Sequence, residues 1–226
     1  FSENDKVVGF GGRKLYDDDT GGKYINSPES RIYSKSRVLY GLNFAKEKIR
    51  YSDNVILVEG YMDLISLHKY GFGNVVASSG TALTEEQVKL ISRYTKNIFV
   101  LFDSDFAGIK AAKRGIEIIL EAGLDLNVVT LPEGEDPDSF LNKYGKAEFE
   151  KYLTSGKSLI TFISELYEKD GKLRTVEDKT EFVKEIIGYI GKIPDKIKRA
   201  LYIKEVSSLY SIYESDLRDE LEKSVK

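Results

Sequence analysis

Cysteine is absent from this 226-residue chain, and histidine and methionine occur once each, at His68 and Met62. No apolar run approaches the roughly 18 residues of a membrane-spanning helix. Each scarcity excludes something. Without cysteine there is no disulfide, iron–sulfur cluster, zinc ribbon or thiol nucleophile, so no zinc is expected in this piece. Any Ser-His-Asp triad would have to be built on His68, which reads as a structural or surface residue. No signal peptide opens the chain. The lone methionine is internal, so the sequence is expected to be a piece of a longer protein that starts inside a domain. What remains is an ordinary globular complement, 41% apolar and 31% charged, enough for one large domain or a domain with an appendage.

The formal net charge of −3 argues against nucleic-acid binding until it is resolved along the chain. Residues 1–50 carry 10 Lys/Arg against 7 Asp/Glu, a net +3; residues 51–150 carry 9 against 16, a net −7; residues 151–226 carry 15 against 14, a net +1. The acidic excess therefore sits in the middle of the chain.

The pattern of apolar residues divides the chain into three parts, 1–53, 54–156 and 157–226. The first reads as short strands and loops: Lys6 to Arg13 is strand-like with glycines for a bulge or hairpin, and Asp17 to Gly22 is a turn. Ser36 to Ile49 then looks helical, with Leu39, Leu42 and Phe44 as its apolar members. From residue 54, continuous apolar strands (Val55–Val58, Val75–Ala77, Asn97–Phe102, Leu126–Leu131) alternate with helices (Met62–Lys69, one capped by Thr84, Ala107–Ala122). That alternation predicts a parallel sheet covered on both faces. Ser139–Tyr144 and Ala147–Leu153 are predicted as short helices. The third part reads as all-helical, over Leu159–Glu168, Asp178–Ile190 and Lys196–Tyr213, with Phe182, Ile186 and Ile190 on one face and Tyr202, Val206 and Leu209 on another.

In an open parallel sheet, ligands bind beyond the carboxyl ends of the strands. Six acids are expected at that edge: Glu59 and Asp63 after the first strand, Asp103 and Asp105 after the third, Asp136 and Asp138 after the fourth. Singly, each has a plain reading, since Asp105 or Asp138 could cap a helix and Asp63 could sit at a helix N-terminus. Together they do not, because two like charges ~4 Å apart repel by about 4 kcal/mol at an effective dielectric near 20. Hard oxygen donors without Cys or His select Mg²⁺, Mn²⁺ or Ca²⁺, and a two-metal site for phosphoryl transfer accounts for them economically.

The run Val58-Glu59-Gly60-Tyr61-Met62-Asp63, the later Phe102-Asp103-Ser104-Asp105-Phe106-Ala107-Gly108 and Glu135-Asp136-Pro137-Asp138 resemble the Toprim module shared by primases, topoisomerases and some nucleases. Upstream, Gly9-Phe10-Gly11-Gly12-Arg13, Lys23-Tyr24-Ile25-Asn26-Ser27-Pro28-Glu29 and Leu39-Tyr40-Gly41-Leu42 resemble the polymerase domain of bacterial replicative DNA primases of the DnaG type, which topoisomerases lack. The likeness runs from about residue 6 to 155 and more loosely into the tail. Two positions depart from it: Phe106 stands where the family often has a polar residue, and Ser104 where Gly is frequent.

The resemblance implies an α/β fold: a parallel-sheet Toprim domain (54–156), a preceding partial α+β subdomain (1–53) and a C-terminal helical subdomain (157–226). It implies RNA primer synthesis on single-stranded DNA by nucleotidyl transfer from NTPs, in the bacterial cytoplasm, at the nucleoid, by a monomer with no membrane partner. Two or more Mg²⁺ or Mn²⁺ ions would be held by Asp103, Asp105, Asp136 and Asp138. Glu59 is either a further ligand or the general base, and Asp63 stands behind it. Lys23, Asn26, Lys35 and Arg37, with Arg13 as a further candidate, would meet the triphosphate or the nucleic-acid strand. A replicative helicase is an expected partner, through a domain expected to be missing from this piece. A Toprim nuclease and a non-catalytic nucleic-acid-binding module are the rival readings.

Overall fold

The computed structural model describes residues 1–14, 16, 24–78, 82–101 and 106–224. Lys23, Asp103 and Asp105 lie outside the described residues, as does the Asp17 to Gly22 turn. The first part holds one small antiparallel pair, β1 (Gly11–Arg13) with β2 (Tyr24–Asn26), and a 3-10 turn at Lys35–Arg37. The strand expected from Lys6 is thus only three residues long. The helix expected from Ser36 begins later, as α1 (Leu42–Ser52), because Gly41 at φ +84° breaks the backbone direction; an added Cβ there would lie 2.6 Å from Leu64. Phe44 points outward, 67% exposed, while Leu42, Ala45 and Ile49 face the core at i, i+3 and i+7.

The central sheet is fully parallel in the order β4 (Val75–Ala77), β3 (Val55–Val58), β5 (Asn97–Leu101), β6 (Asp125–Val129). The register pairs Val55 with Ile98, Ile56 with Val75 and Asn97 with Asp125. Because side chains alternate along a strand, the four buried residues of β3 serve two cores. Ile56 and Val58 pack with α2 (Tyr61–Lys69) and α5 (Pro137–Thr154). Val55 and Leu57 share the other core with α1, α3 (Glu85–Ile91), α4 (Phe106–Glu121) and the tail helices α6 (Leu159–Lys169), α7 (Val176–Lys192) and α8 (Lys196–Tyr210). The two short helices expected after residue 138 are consecutive parts of α5, kinked at Gly145, whose φ of +78° only glycine adopts readily. The last predicted helix ends at Tyr210, and α9 (Glu214–Ser224) follows it unpredicted, because it buries only Leu217. Leu209, expected inside, is 59% exposed.

The tail is fastened to the sheet layer by a half-buried carboxylate. Glu185 on α7 accepts from Tyr167 of α6 at 2.6 Å and Tyr189 at 3.1 Å, and pairs with Lys113 of α4 at 2.7 Å. Burial alone would push the Glu185 carboxyl up, but the bonds from Lys113 and Tyr167 outweigh it and hold it below its ordinary value. Glu185→Ala is expected to cost about 2–3 kcal/mol, since three polar partners lose their acceptor. That is roughly 5–10 °C in Tm for a chain of this length. A carboxyl with a depressed folded pKa stabilises fully above its unfolded pKa, about 4.3, and loses that contribution as pH falls through the lower folded value. Thermal melts of both proteins should therefore differ most at neutral pH and converge only in acid.

Candidate active site at the carboxyl edge of the sheet

Beyond the carboxyl ends of β3 and β6 opens a cavity of about 200 Å³. Glu59, Asp63, Glu133, Glu135 and Asp136 line it together with Lys157 and Glu165, over an apolar floor that includes Leu101, Val129 and Phe162. The sheet topology places these acids at one edge, as the sequence predicts for Glu59, Asp63 and Asp136. Asp138, in the first turn of α5 and half-buried, does not line the cavity. Asp103 and Asp105, expected after β5, lie outside the described residues.

Local chemistry fixes how each acid is presented. Glu59 is half-buried where β3 gives way to Gly60 and α2. Asp63 is the third residue of α2 and turns back so that its Oδ2 accepts from the Gly60 N–H at 3.1 Å. A Cβ added at residue 60 would sit 2.7 Å from that oxygen, so a larger residue there would displace the Asp63 carboxylate from its bond to the residue 60 N–H. The plain reading of Asp63, a helix-start residue, is therefore correct for one of its oxygens. Asp136 is the N-cap of α5: its Oδ1 accepts from the Ser139 N–H at 2.7 Å, and the Ser139 hydroxyl accepts from the Asp136 N–H at 3.0 Å. Pro137 in the first turn lacks the N–H that would go unused there.

Glu135 belongs to the same motif and was passed over in the sequence reading. Its side chain accepts from the Ser139 hydroxyl at 2.6 Å and from Lys143 at 2.9 Å, and these bonds, the hydroxyl's first, lower its pKa. Lys157 also went unpredicted, for it belongs to no motif. It arrives because residue 157 makes a two-bond antiparallel bridge with Val128 of β6. Its ammonium donates to Thr130 at 2.6 Å and to Glu165 at 2.5 Å. Among the described residues no three acidic or histidine side chains lie close enough to one another to enclose an ion. The donor chemistry nevertheless fits a hard divalent cation: several carboxylates in one cavity, with no thiol in the chain. His68 lies elsewhere, half-buried on α2, its pKa lowered by burial.

The cations gather on the other side of the α2 N-terminus. Arg13 and Lys35 line an aromatic cleft of about 380 Å³ with Phe10, Tyr24, Tyr40 and Tyr61. Tyr61, the first residue of α2, lines this cleft: its hydroxyl donates to Asn26 Oδ1 at 2.6 Å, and its ring meets Tyr40 edge-on at 4.8 Å between centroids. Arg37 is exposed on the turn that carries Lys35 and does not line the cleft. The structure thus brings Lys35 and Arg13 to one cleft beside the acidic edge, while Asn26 does not line it and is tied to it through Tyr61. Tyr61, which holds Asn26, was missed although it stands inside the quoted Glu59 to Asp63 run.

Known proteins match this chain along most of its length. Three family profiles match in order: "DNA primase catalytic core, N-terminal domain" over residues 1–46, "Toprim-like" over 56–141, and "DnaB-helicase binding domain of primase" over 162–214. The third match corrects the expectation that a helicase-binding domain is missing from this piece. It falls on the helical tail, where the sequence shows apolar spacing and no motif to read. The DNA primase of Clostridium acetobutylicum is 43% identical over 97% of this chain, which spans 36% of that relative. The chain likewise spans well under half of the other curated relatives it matches first. A DNA primase domain from Pseudomonas aeruginosa superposes with a TM-score of 0.85 at 34% identity, covering 98% of this chain and 70% of that one. A DnaG primase catalytic domain bound to single-stranded DNA superposes at 0.80 with 33% identity, covering 92% and 67%.

Proposed function

Since the chain belongs to the DnaG-type bacterial DNA primase family, we propose that it synthesises short RNA primers on single-stranded DNA, joining nucleoside triphosphates at the carboxyl edge of its parallel sheet. The observation that carries this reading is the pairing of two cavities across the start of α2, one lined by carboxylates and one by aromatic rings and cations. A nuclease would need the first and not the second. A module that only held nucleic acid would have no use for a cavity lined by several carboxylates, which repel the phosphates of a strand unless cations join them.

Glu59 and Asp136, with Asp103, Asp105 and Asp138 of the same motifs, would hold two or more Mg²⁺ or Mn²⁺ ions, and Asp63 would stand behind Glu59. Such ions supply Lewis acidity, lowering the pKa of the attacking 3′-hydroxyl and offsetting charge on the phosphates. Glu59 serves best as a ligand, because a carboxylate on a divalent ion is a poor proton acceptor. Lys23, Lys35 and Arg37, with Arg13, would neutralise the triphosphate and strand phosphates, and Asn26 would hydrogen-bond the nucleotide. Tyr61 fixes the Asn26 amide so that its NH₂ end faces away from the phenol. Tyr61→Phe is expected to raise KM for the nucleotide about fivefold with kcat little changed, the loss of one hydrogen bond of about 1 kcal/mol, measured by initial rates of incorporation.

A replicative helicase is the partner proposed for the helical tail. Among the described residues no helix is long and apolar enough to cross a membrane, and the proposed place of action is the bacterial cytoplasm. The test is to supply single-stranded DNA, four NTPs and Mg²⁺, then separate the products. Template-dependent, alkali-labile RNA supports primer synthesis. Shortened DNA without RNA would assign the site to hydrolysis instead.

A further inference from the structure

The turn that carries Lys35 and Arg37 buries none of its own residues fully, so it has no core side chain to anchor it. It is held by two side chains from the start of α3, far along the chain. Gln87 is completely buried and fully bonded. Its Nε2 donates to the carbonyls of Lys35 at 3.0 Å and Val38 at 2.9 Å, and its Oε1 accepts from the Thr84 N–H at 3.2 Å. The Thr84 hydroxyl donates to the carbonyl between them, that of Ser36, at 2.6 Å, while also accepting from the Gln87 N–H at 3.2 Å. Three backbone carbonyls of the turn region are thus held by one capping box. Val88 and Ile91, both fully buried, root that box in the sheet layer. Two residues beyond Val38, Tyr40 exchanges both backbone hydrogen bonds with Ala77 at 2.9 and 3.0 Å, so the strap is fixed at its far end as well.

We propose that Gln87 and Thr84 are positioning residues for nucleic-acid binding: they clamp the Lys35–Arg37 turn to the sheet domain and set where its two cations meet phosphate. The proposal rests on the reading of Lys35 and Arg37 as phosphate-binding groups. Physically, a long flexible cation binds phosphate well only if the backbone that bears it is fixed, since otherwise ordering the backbone is charged against binding. The Gln87 Oε1 completes the capping box with the Thr84 N–H, but that task uses neither of its N–H groups, and both are spent on main-chain carbonyls of the turn region.

The test measures binding of the full chain to a fluorescent single-stranded oligonucleotide as salt is varied, in wild type, Gln87→Met, the Lys35→Ala/Arg37→Ala pair, and all three changes together. For single strands each phosphate contact contributes about 0.7 to the slope of log K against log salt. Gln87→Met is expected to weaken binding roughly tenfold and to flatten the slope by about 1, with little further loss once the cations are gone. Wild-type affinity and slope in Gln87→Met, or an equal loss with and without the cations, would overturn the clamp. If removing the cations alone leaves binding and slope unchanged, the reading of Lys35 and Arg37 fails first and the clamp with it. Should Gln87→Met not fold, Thr84→Val removes only the hydroxyl, with Thr84→Ser as its rescue. The same flattened slope in Thr84→Val and a restored slope in Thr84→Ser are expected, and an unmoved slope in Thr84→Val contradicts the proposal.

Discussion

Asp136→Asn and Glu59→Gln are each expected to reduce primer synthesis by about 100-fold or more while leaving the fold intact. The argument for Asp136 rests on its double use. Its carboxylate caps α5 by accepting from Ser139, and asparagine caps a helix nearly as well as aspartate. Stability should change by less than about 0.5 kcal/mol, whereas the charge offered to a divalent ion is lost outright. Glu59 is not a cap; it stands half-buried at the end of β3, and glutamine keeps its volume and one of its oxygens. A hundredfold loss corresponds to about 2.7 kcal/mol of transition-state stabilisation, a modest figure for a hard ligand on a catalytic ion. Initial rates beside thermal melts check it: a large fall in rate with an unchanged Tm is the expected pair. Equal rates in wild type and both variants would remove these carboxylates from the chemistry.

The second large effect is on stability. Phe140→Ala is expected to cost about 3–5 kcal/mol, a substantial part of the 5–15 kcal/mol that holds a typical domain together. Phe140 is 1% exposed and central to an aromatic cluster on α5, with ring centroids 4.8 Å from Tyr144, 5.0 Å from Tyr152 and 6.1 Å from Phe149. Phe149 in turn meets Phe72 at 5.1 Å, tying α5 to the segment after α2. Removing the ring leaves a cavity and forfeits these edge contacts, and the midpoint of thermal unfolding should fall by about 10 °C or more. Phe140→Leu should recover most of the loss. Because Phe140 lies one helical turn after Asp136, Phe140→Ala should also loosen the start of α5 and weaken divalent-ion binding, which Asp136→Asn weakens without loss of stability.

Much of this architecture is legible in the sequence because each element carries a local reason for its form. Short apolar runs alternating with helical patterns mark the strands of a parallel sheet; β3 and β4 are buried throughout, whereas β5 and β6 open on the polar residues Asn97 and Asp125. The capping box of Thr84 and Gln87 can be read from spacing alone, but its second task cannot, since the carbonyls that Gln87 holds lie about 50 residues away. Glu59, Asp63 and Asp136 were legible because strand ends in a parallel sheet converge on one edge. Lys157 and Glu165 were not, as they reach that edge only through a bridge to β6 and the packing of α6. Leu209 and Phe44 misled for a related reason: helical spacing marks an apolar residue for burial, but tertiary packing decides which face is covered. The acidic excess of residues 51–150 shows how far composition reaches. It marks where the carboxylates are, and the fold decides which of them share a cavity.

The claim on which the rest depends is that this edge holds divalent cations, and binding of Mn²⁺ followed by electron paramagnetic resonance in the presence of an NTP tests it most directly. The signal of free Mn²⁺ should be diminished by the wild-type chain and recover when Mg²⁺ competes. It should be restored substantially in a folded Glu59→Gln/Asp103→Asn/Asp136→Asn variant. A free Mn²⁺ signal as strong with the wild type as with that variant, across the millimolar range, would contradict the account.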